Sequence, residues 1–596
     1  MTNREIAKML YEMSALYEME GVQFKPRAYE KAALSIEALD EDIGEIYKKG
    51  NEKALMQIPG IGKGIAGHIK EIFKTRHFKE YERLKKKIPV NISELIKVEG
   101  VGPRIVKILW QKLKIRNLAD LEKAARAGKI KKLEHFGEKS EQKILKGIEF
   151  LKKSGGRAIL GFVLPEIRVL EKMVRSIPNV DKAMVAGSVR RKKETIGDID
   201  ILAVSKKPEK VMDYFIGLPF VAHVYAKGRT KTMVKLKNGL DADLRVIPKE
   251  SFGAALNYFT GSKSHNIALR EIAVKKGWKL NEYGLFGASG SRTSVRKSDF
   301  LAGRTEEELY KKLGLRYIEP EMREDTGEIE LALSSSKGRL PKLIGYGDLK
   351  GDLQIQTDWT DGENSIEEMA EATMKMGLEY IAITDHTKSL AMTGGSDEKK
   401  LLKQIIEIDK INRKFSARGG SAFGGKNKKF KVLSGAEVNI GKDGTLDIDD
   451  KTLAKLDVVG AAIHSHFNLS REEQTKRIIR AMENRNVDII FHLTTRVINK
   501  REPIELDIDE IIKAAKRTGT ILEIDAYPDR LDIKDEYVRK CVQTGVKMCI
   551  DSDAHSVQHL RFLEMGIAQA RRGWAEKKDI INAWPLEKMI SFLKGK

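Results

Sequence analysis

Along the first 150 residues apolar side chains return at three- and four-residue steps, as at Ala7, Leu10, Met13 and Leu16, a spacing that predicts amphipathic helices. Three times the helical rhythm is broken by a glycine-bearing turn: Ile58-Pro59-Gly60-Ile61-Gly62-Lys63-Gly64, Val98-Glu99-Gly100-Val101-Gly102-Pro103, and a looser copy, Leu133-Glu134-His135-Phe136-Gly137-Glu138-Lys139. From Gly155 to about Ile318 strands and helices alternate, punctuated at Lys206-Lys207-Pro208 and Gly217-Leu218-Pro219. The polar stretch 319–341 that follows is long for a loop inside a compact unit and predicts an inter-domain linker. After Gly345, apolar runs at 380–384, 458–463, 487–491 and 521–524 are separated by amphipathic helices, which predicts a parallel barrel with its chemistry at the carboxyl ends of the strands. The Gly/Lys-rich insertion 419–429 predicts a mobile surface loop.

At 596 residues the chain is too long for one core, so several domains are expected. No apolar run reaches the roughly 18 residues needed to span a bilayer and the N-terminus lacks a signal-peptide pattern, which points to a soluble intracellular protein. Cys541 and Cys549 leave no disulfide framework and no thiolate zinc site. The net charge of +23 is asymmetric: residues 345–596 hold 41 basic and 41 acidic side chains, whereas 51–150 alone hold 24 basic against 12 acidic. A heat-tolerant Lys/Glu surface explains abundant charge but not this asymmetry, which is the footprint expected for a polyanion. Each glycine turn opens a helix whose free N–H groups can bind a backbone phosphate without reading a base.

The densest candidate chemistry is Gly187-Ser188-Val189-Arg190-Arg191, then Gly197-Asp198-Ile199-Asp200-Ile201-Leu202. Two carboxylates one residue apart on a strand share a face, an oxygen-rich site suited to Mg²⁺. Asp243, in Asp241-Ala242-Asp243-Leu244, heads a second apolar run in the same way.

These strings resemble the active site of family X DNA polymerases, the DNA polymerase beta kind. The resemblance implies that Asp198 and Asp200 serve two ions, Mg²⁺ or Mn²⁺, that Asp243 serves the ion at the primer terminus, and that Gly187, Ser188 and Arg191 contact the outgoing phosphates. Arg190 reads equally well as a solvated surface residue. Downstream, Leu256-Asn257-Tyr258-Phe259-Thr260-Gly261-Ser262 with Asn266 and Arg270 resembles the family's nucleotide pocket. There Tyr258 and Phe259 pack on the sugar, and Asn266 and Arg270 face the minor-groove side of the new pair. The glycine turns resemble helix-hairpin-helix motifs, which assigns Gly60, Gly62, Lys63, Gly100 and Gly102 to DNA. Phe24-Lys25-Pro26-Arg27-Ala28-Tyr29 resembles the small lyase domain, with Lys25 and Tyr29 at a 5′-phosphate. The place of its Schiff-base lysine is taken by His68, which cannot form an imine, and that of a second phosphate-pocket lysine by Gly64. Lys63 and Lys70 are the available substitutes.

The last third resembles the PHP (polymerase and histidinol phosphatase) domain fused to many bacterial and archaeal family X polymerases. Asp361, His386, Glu437, His464, His492, Asp553 and His555 match its ligand positions, a set suited to Mn²⁺ or Zn²⁺. Two further imidazoles usual in the family are replaced by Gln354 and Gln356, so at least one of three expected ions should bind weakly or be absent. His466 and His559 are expected to be structural or to support the ligands from behind, because His464 and His555 already match the ligand positions.

The expected fold is therefore multidomain, α and α/β: helical helix-hairpin-helix domains, an α+β nucleotidyltransferase palm and thumb, and a C-terminal PHP-type distorted β/α barrel. The expected boundaries are 1–88 (lyase-like), 89–154 (fingers-like), 155–250 (palm), 251–318 (thumb-like), 319–344 (linker) and 345–596 (PHP). The expected activity is gap-filling DNA synthesis by a prokaryotic, cytoplasmic monomer that takes gapped or nicked DNA and dNTP and meets no membrane. The phosphoesterase barrel, of the 3′–5′ exonuclease kind, is expected to be a slower nuclease, a manganese-dependent one, or a scaffold. A DNA-end-processing nuclease or phosphatase predicts instead an intact barrel site and a damaged palm; a DNA-binding scaffold has no use for Asp198, Asp200 and Asp243.

Overall fold

The computed structural model describes residues 1–595 apart from positions 2, 38, 40, 76, 154–156, 288–298, 336 and 418–429, so the loop expected at 419–429 and the boundary at 154 lie outside the described residues. The N-terminal helices, from Asn3–Glu20 to Glu138–Lys153, close around one apolar core running from Ile6 to Ile148. The three hairpins share one backbone pattern. Ile61, Val101 and Phe136 donate N–H to the carbonyls of Ile58, Val98 and Leu133 at 3.1, 3.0 and 3.1 Å, and Ala66, Val106 and Glu141 to those of Gly62, Gly102 and Gly137 at 2.9, 2.9 and 3.1 Å. The left-handed position is Gly60 (φ +75°) and Gly100 (φ +79°) in the first two copies and His135 (φ +67°) in the third. The third copy is thus as regular as the others, with a histidine held where L-residues pay roughly 1–2 kcal/mol.

The palm is a five-stranded sheet in the order Lys182–Val185, Asp198–Val204, Asp241–Ile247, Lys231–Leu236, Val221–Lys227, with the central pair parallel. Alternation along Asp198–Val204 sends Ile199, Ile201 and Ala203 into a core with the helices Leu160–Arg175 and Pro208–Ile216, and Leu202 and Val204 to the opposite face against Phe252–Thr260. The period of two therefore puts Asp198 and Asp200 on the face that meets the thumb.

The described residues of 319–344 pack into the fold, which corrects their reading as a linker. Its turn Pro320–Met322 and helix Glu328–Ala332 bury Met322, Ile329 and Ala332 in the thumb core with Leu269, Tyr310 and Trp574. The polarity that suggested a linker serves buried contacts: Arg323 pairs with Glu306, and Glu328 is hydrogen-bonded to His265 Nδ1 at 2.7 Å.

Seven parallel strands, Gly351–Ile355, Tyr380–Ile383, Lys431–Asn439, Val458–Ala462, Ile489–Ile490, Ile521–Asp525 and Met548–Asp551, pair in chain order, and an Ile355–Ala554 bridge brings the last beside the first. The barrel packs on the polymerase half: Leu531 and Met565 enter the palm core and Trp574 the thumb core.

Candidate functional site

In the parallel pairing of the palm's central strands Asp200 lies opposite Asp243. Burial, and then the charges of Asp198 and Asp243, push the Asp200 carboxyl up to about 6. Lys231, on the next strand, offsets part of this at 3.2 Å from Asp243. A surplus of negative charge on converging oxygens fits a divalent cation, so these residues suit the expected ions. Gly187 has φ +62°, and a Cβ there would stand 2.5 Å from Oδ2 of Asp200, so the turn tolerates only glycine.

The residues expected to form the nucleotide pocket are gathered next to this cluster. Helix Phe252–Thr260 ends at Gly261, and helix Lys263–Lys275 begins after Ser262, whose hydroxyl caps the His265 N–H. Asn266 donates to the Tyr258 carbonyl at 2.7 Å, and Arg270 to the Asn266 carbonyl at 3.2 Å. Tyr258 and Phe259 meet edge to face, and the Arg245 guanidinium lies 4.5 Å above Phe259. Arg190 is not solvated: it is mostly buried, donating to Thr260 Oγ1 at 2.7 Å and pairing with Glu306. Arg191 donates to the Thr260 carbonyl and to Glu324 at 3.1 Å.

In the first domain Lys25 lies 4.6 Å from the Tyr17 ring, and His68 is half-buried between Tyr29 and Phe78. Burial lowers the His68 imidazole's basicity. Lys70 pairs with Glu52 at 2.9 Å, which raises its pKa and keeps the amine protonated.

At the mouth of the barrel, ligand atoms of two groups among the described residues, Asp361–His386–His555 and His386–Glu437–His464, lie within 4.8 Å of one another. The carboxylate of Glu437 is central. Oε1 faces His464 Nε2 at 3.0 Å and His492 Nε2 at 2.8 Å, while Oε2 accepts the side-chain amides of Gln354 at 3.1 Å and Gln356 at 2.8 Å. Burial pushes this carboxyl up, yet the imidazoles of His386, His464 and His492 hold it well below the usual range. Asp361 Oδ1, His386 Nδ1 and His492 Nδ1 are buried without a hydrogen-bond partner. These orphaned atoms fit metal ions, and Gln354 Oε1 and Gln356 Oε1 are unpartnered as well; with amide oxygens as the added donors and two amides on Oε2 of Glu437, the residues fit metal through a weaker donor set. Asp553 stands apart from both groups, 3.9 Å from His555 Nδ1 and 3.9 Å from Arg530 Nε. Sequence spacing gave no sign of Arg530, which also lies 3.7 Å from Asp525. His559 is buried and parallel to Phe562, its Nδ1 accepts the His555 N–H at 3.3 Å, and burial lowers it to about 3.

Helix-hairpin-helix models match residues 1–78 and, as a tandem, 92–149; the DNA polymerase beta thumb model matches 255–324 and the PHP domain model 352–584. Over its whole length the chain is 36% identical to DNA polymerase/3′-5′ exonuclease PolX of Bacillus subtilis (strain 168), with all of both chains covered. The chain belongs to family X of DNA polymerases, in the group that carries a PHP domain. DNA polymerase lambda of Rattus norvegicus is 24% identical over 351 residues, 54% of this chain and 56% of that one. Its counterpart in Arabidopsis thaliana is 26% identical over 357 residues, 54% of this family X chain and 62% of the relative.

Proposed function

We propose that this family X polymerase fills short gaps in DNA at the palm carboxylates, with Asp198 and Asp200 holding two Mg²⁺ or Mn²⁺ ions and Asp243 sharing the one at the primer terminus. The observation that carries this is the register of Asp200 opposite Asp243, with glycine required beside them at Gly187. Such ions, when bound, activate the primer 3′-hydroxyl and neutralise charge on the phosphates. Gly187, Ser188 and Arg191 bind the triphosphate; Tyr258, Phe259 and Gly261 shape the sugar pocket; Asn266 and Arg270 meet the minor-groove edge. Gly60, Gly62, Lys63, Gly100 and Gly102 hold the duplex by its phosphates, Lys25 and Tyr29 the 5′-phosphate of the gap.

The barrel acts as a metal-dependent 3′–5′ phosphoesterase with fewer ions than a full site, Mn²⁺ or Zn²⁺ held by Asp361, His386, Glu437, His464, His492 and His555, with Asp553 beside them. The protein works as a cytoplasmic monomer on gapped or nicked DNA and dNTP. The domains are 1–88, 89–154, 155–250, a thumb extended from 251–318 to take in 319–344, and 345–596. Primer extension and primer shortening on one-nucleotide-gapped DNA, scored together across a Mn²⁺ titration, test both halves. Extension without metal, or shortening that outruns extension at every concentration, would reverse the assignment of the main activity.

A further inference from the structure

Arg191, the guanidinium assigned to the triphosphate, is not held by the polymerase half alone. Glu324, which takes its Nε at 3.1 Å, also takes Arg572 Nη1 at 3.1 Å and Lys193 Nζ at 3.6 Å. Arg572 stands on the barrel's helix Leu563–Arg572, has a side chain 2% exposed, and is anchored there by Asp535. The same Nη1 donates to the main-chain carbonyl of Arg191 at 3.2 Å. Gly261 leaves room for the arrangement, since a Cβ there would sit 3.0 Å from Arg191 Nη1.

We infer that Arg572 is a positioning residue for nucleotidyl transfer, one that the PHP barrel supplies to the polymerase site. The inference rests on the reading that Arg191 meets the phosphates. Glu324 competes with those phosphates for Arg191, and a partly buried carboxylate does not give up its only cation easily. With Arg572 and Lys193 also beside it, Glu324 stays neutralised when Arg191 turns to the triphosphate. Arg572 meanwhile holds the Arg191 backbone in place. Without Arg572, Glu324 keeps Arg191 to itself and the phosphates bind less well at an unchanged chemical step.

The test is steady-state extension and pyrophosphorolysis by the full-length protein. Arg572→Met keeps the buried stem, and it should raise KM for dNTP and for pyrophosphate about tenfold while kcat moves less than twofold. Arg572→Lys, which keeps the charge but loses the fork that reaches Glu324, the Arg191 carbonyl and Asp535 together, should raise KM less than Arg572→Met does. Glu324→Gln alone should not raise KM, and added to Arg572→Met it should bring KM back towards the starting value, a rescue that a merely structural role does not give. A tenfold rise in KM from Glu324→Gln, or no rescue in the double variant, overturns the inference even where Arg572→Met is poorly folded. Arg191→Ala separates the two layers. If it raises KM and Arg572→Met does not, the inference fails; if it leaves KM unchanged, the reading of Arg191 itself fails.

Discussion

Asp200 and Asp243 stand side by side on parallel strands in register, and the repulsion between them is part of what lifts the Asp200 carboxyl to about 6. Two like charges so placed repel; Arg245 and Lys231 offset part of that, and a divalent cation between them would relieve the rest. Their convergence depends on the sheet order, because Asp241–Ile247 is inserted between Asp198–Val204 and Lys231–Leu236, the strand that precedes it in the chain.

Replacing Asp198 or Asp200 by alanine should lower nucleotide addition more than 100-fold, about 3 kcal/mol or more of lost transition-state stabilisation, while gapped-DNA affinity changes little. The ions act on the triphosphate and the primer hydroxyl, and the duplex is held elsewhere. Single-turnover extension and a binding titration on the same substrate check both halves. Extension above about one per cent of the starting rate is incompatible with the two-metal role.

The thumb's stability should depend on acid through Glu306. Burial pushes its carboxyl up, but Arg323 and Arg190 outweigh that and hold it at about 2 against an unfolded value of 4.5. A depressed carboxylate contributes its stability fully above the unfolded value, and the contribution is lost as pH falls from 4.5 through about 2. The size is roughly 3 kcal/mol at neutral pH. Urea unfolding followed by tryptophan emission, with Trp278 and Trp574 packed in this core, should show the midpoint falling below pH 4.5. Glu306→Gln should lower it at pH 7 and flatten the acid slope. An unchanged midpoint in that variant would mean the pairs with Arg190 and Arg323 contribute nothing net.

Lyase action on a 5′-deoxyribose phosphate should be weak. His68 stands where the resemblance puts the nucleophile, and Lys70 is protonated and paired with Glu52, which removes the free amine an imine requires. Borohydride trapping of a pre-incised abasic site reads this directly. Efficient capture that disappears in Lys63→Ala would assign the chemistry to Lys63 and reverse the expectation.

What was legible in the sequence was local. A period of two exposes the Asp198–Asp200 pair, glycine spacing exposes the first two hairpins, and strand-end positions expose the barrel's histidines. His135 concealed the regularity of the third hairpin, because a left-handed histidine is legible only from its backbone. The fold of 319–344 was hidden because Arg323, Glu321 and Glu328 read as solvent-facing charge until their buried partners are known. Arg530 and Arg572 carried no signal, since Arg572 meets Glu324 only after the barrel has docked on the thumb.

The proposed shortage of metal in the barrel turns on Glu437. Gln354 and Gln356 each donate an amide N–H to its Oε2, so the two side chains that stand where the family usually has imidazoles also occupy an oxygen that a cation would otherwise take. Changing both to histidine removes those donors and adds two nitrogen ligands on the strand Gly351–Ile355 and just beyond it. The double variant should bind about one more Mn²⁺ or Zn²⁺ per chain by elemental analysis, a count that does not depend on activity, and its 3′–5′ exonuclease rate should rise with the metal. More metal with no gain in primer shortening makes the barrel a scaffold, and the docking of Arg572 on Glu324 then becomes its main contribution. A full metal complement with rapid shortening in the unmodified protein would show that amide ligands suffice and that the site is not impaired.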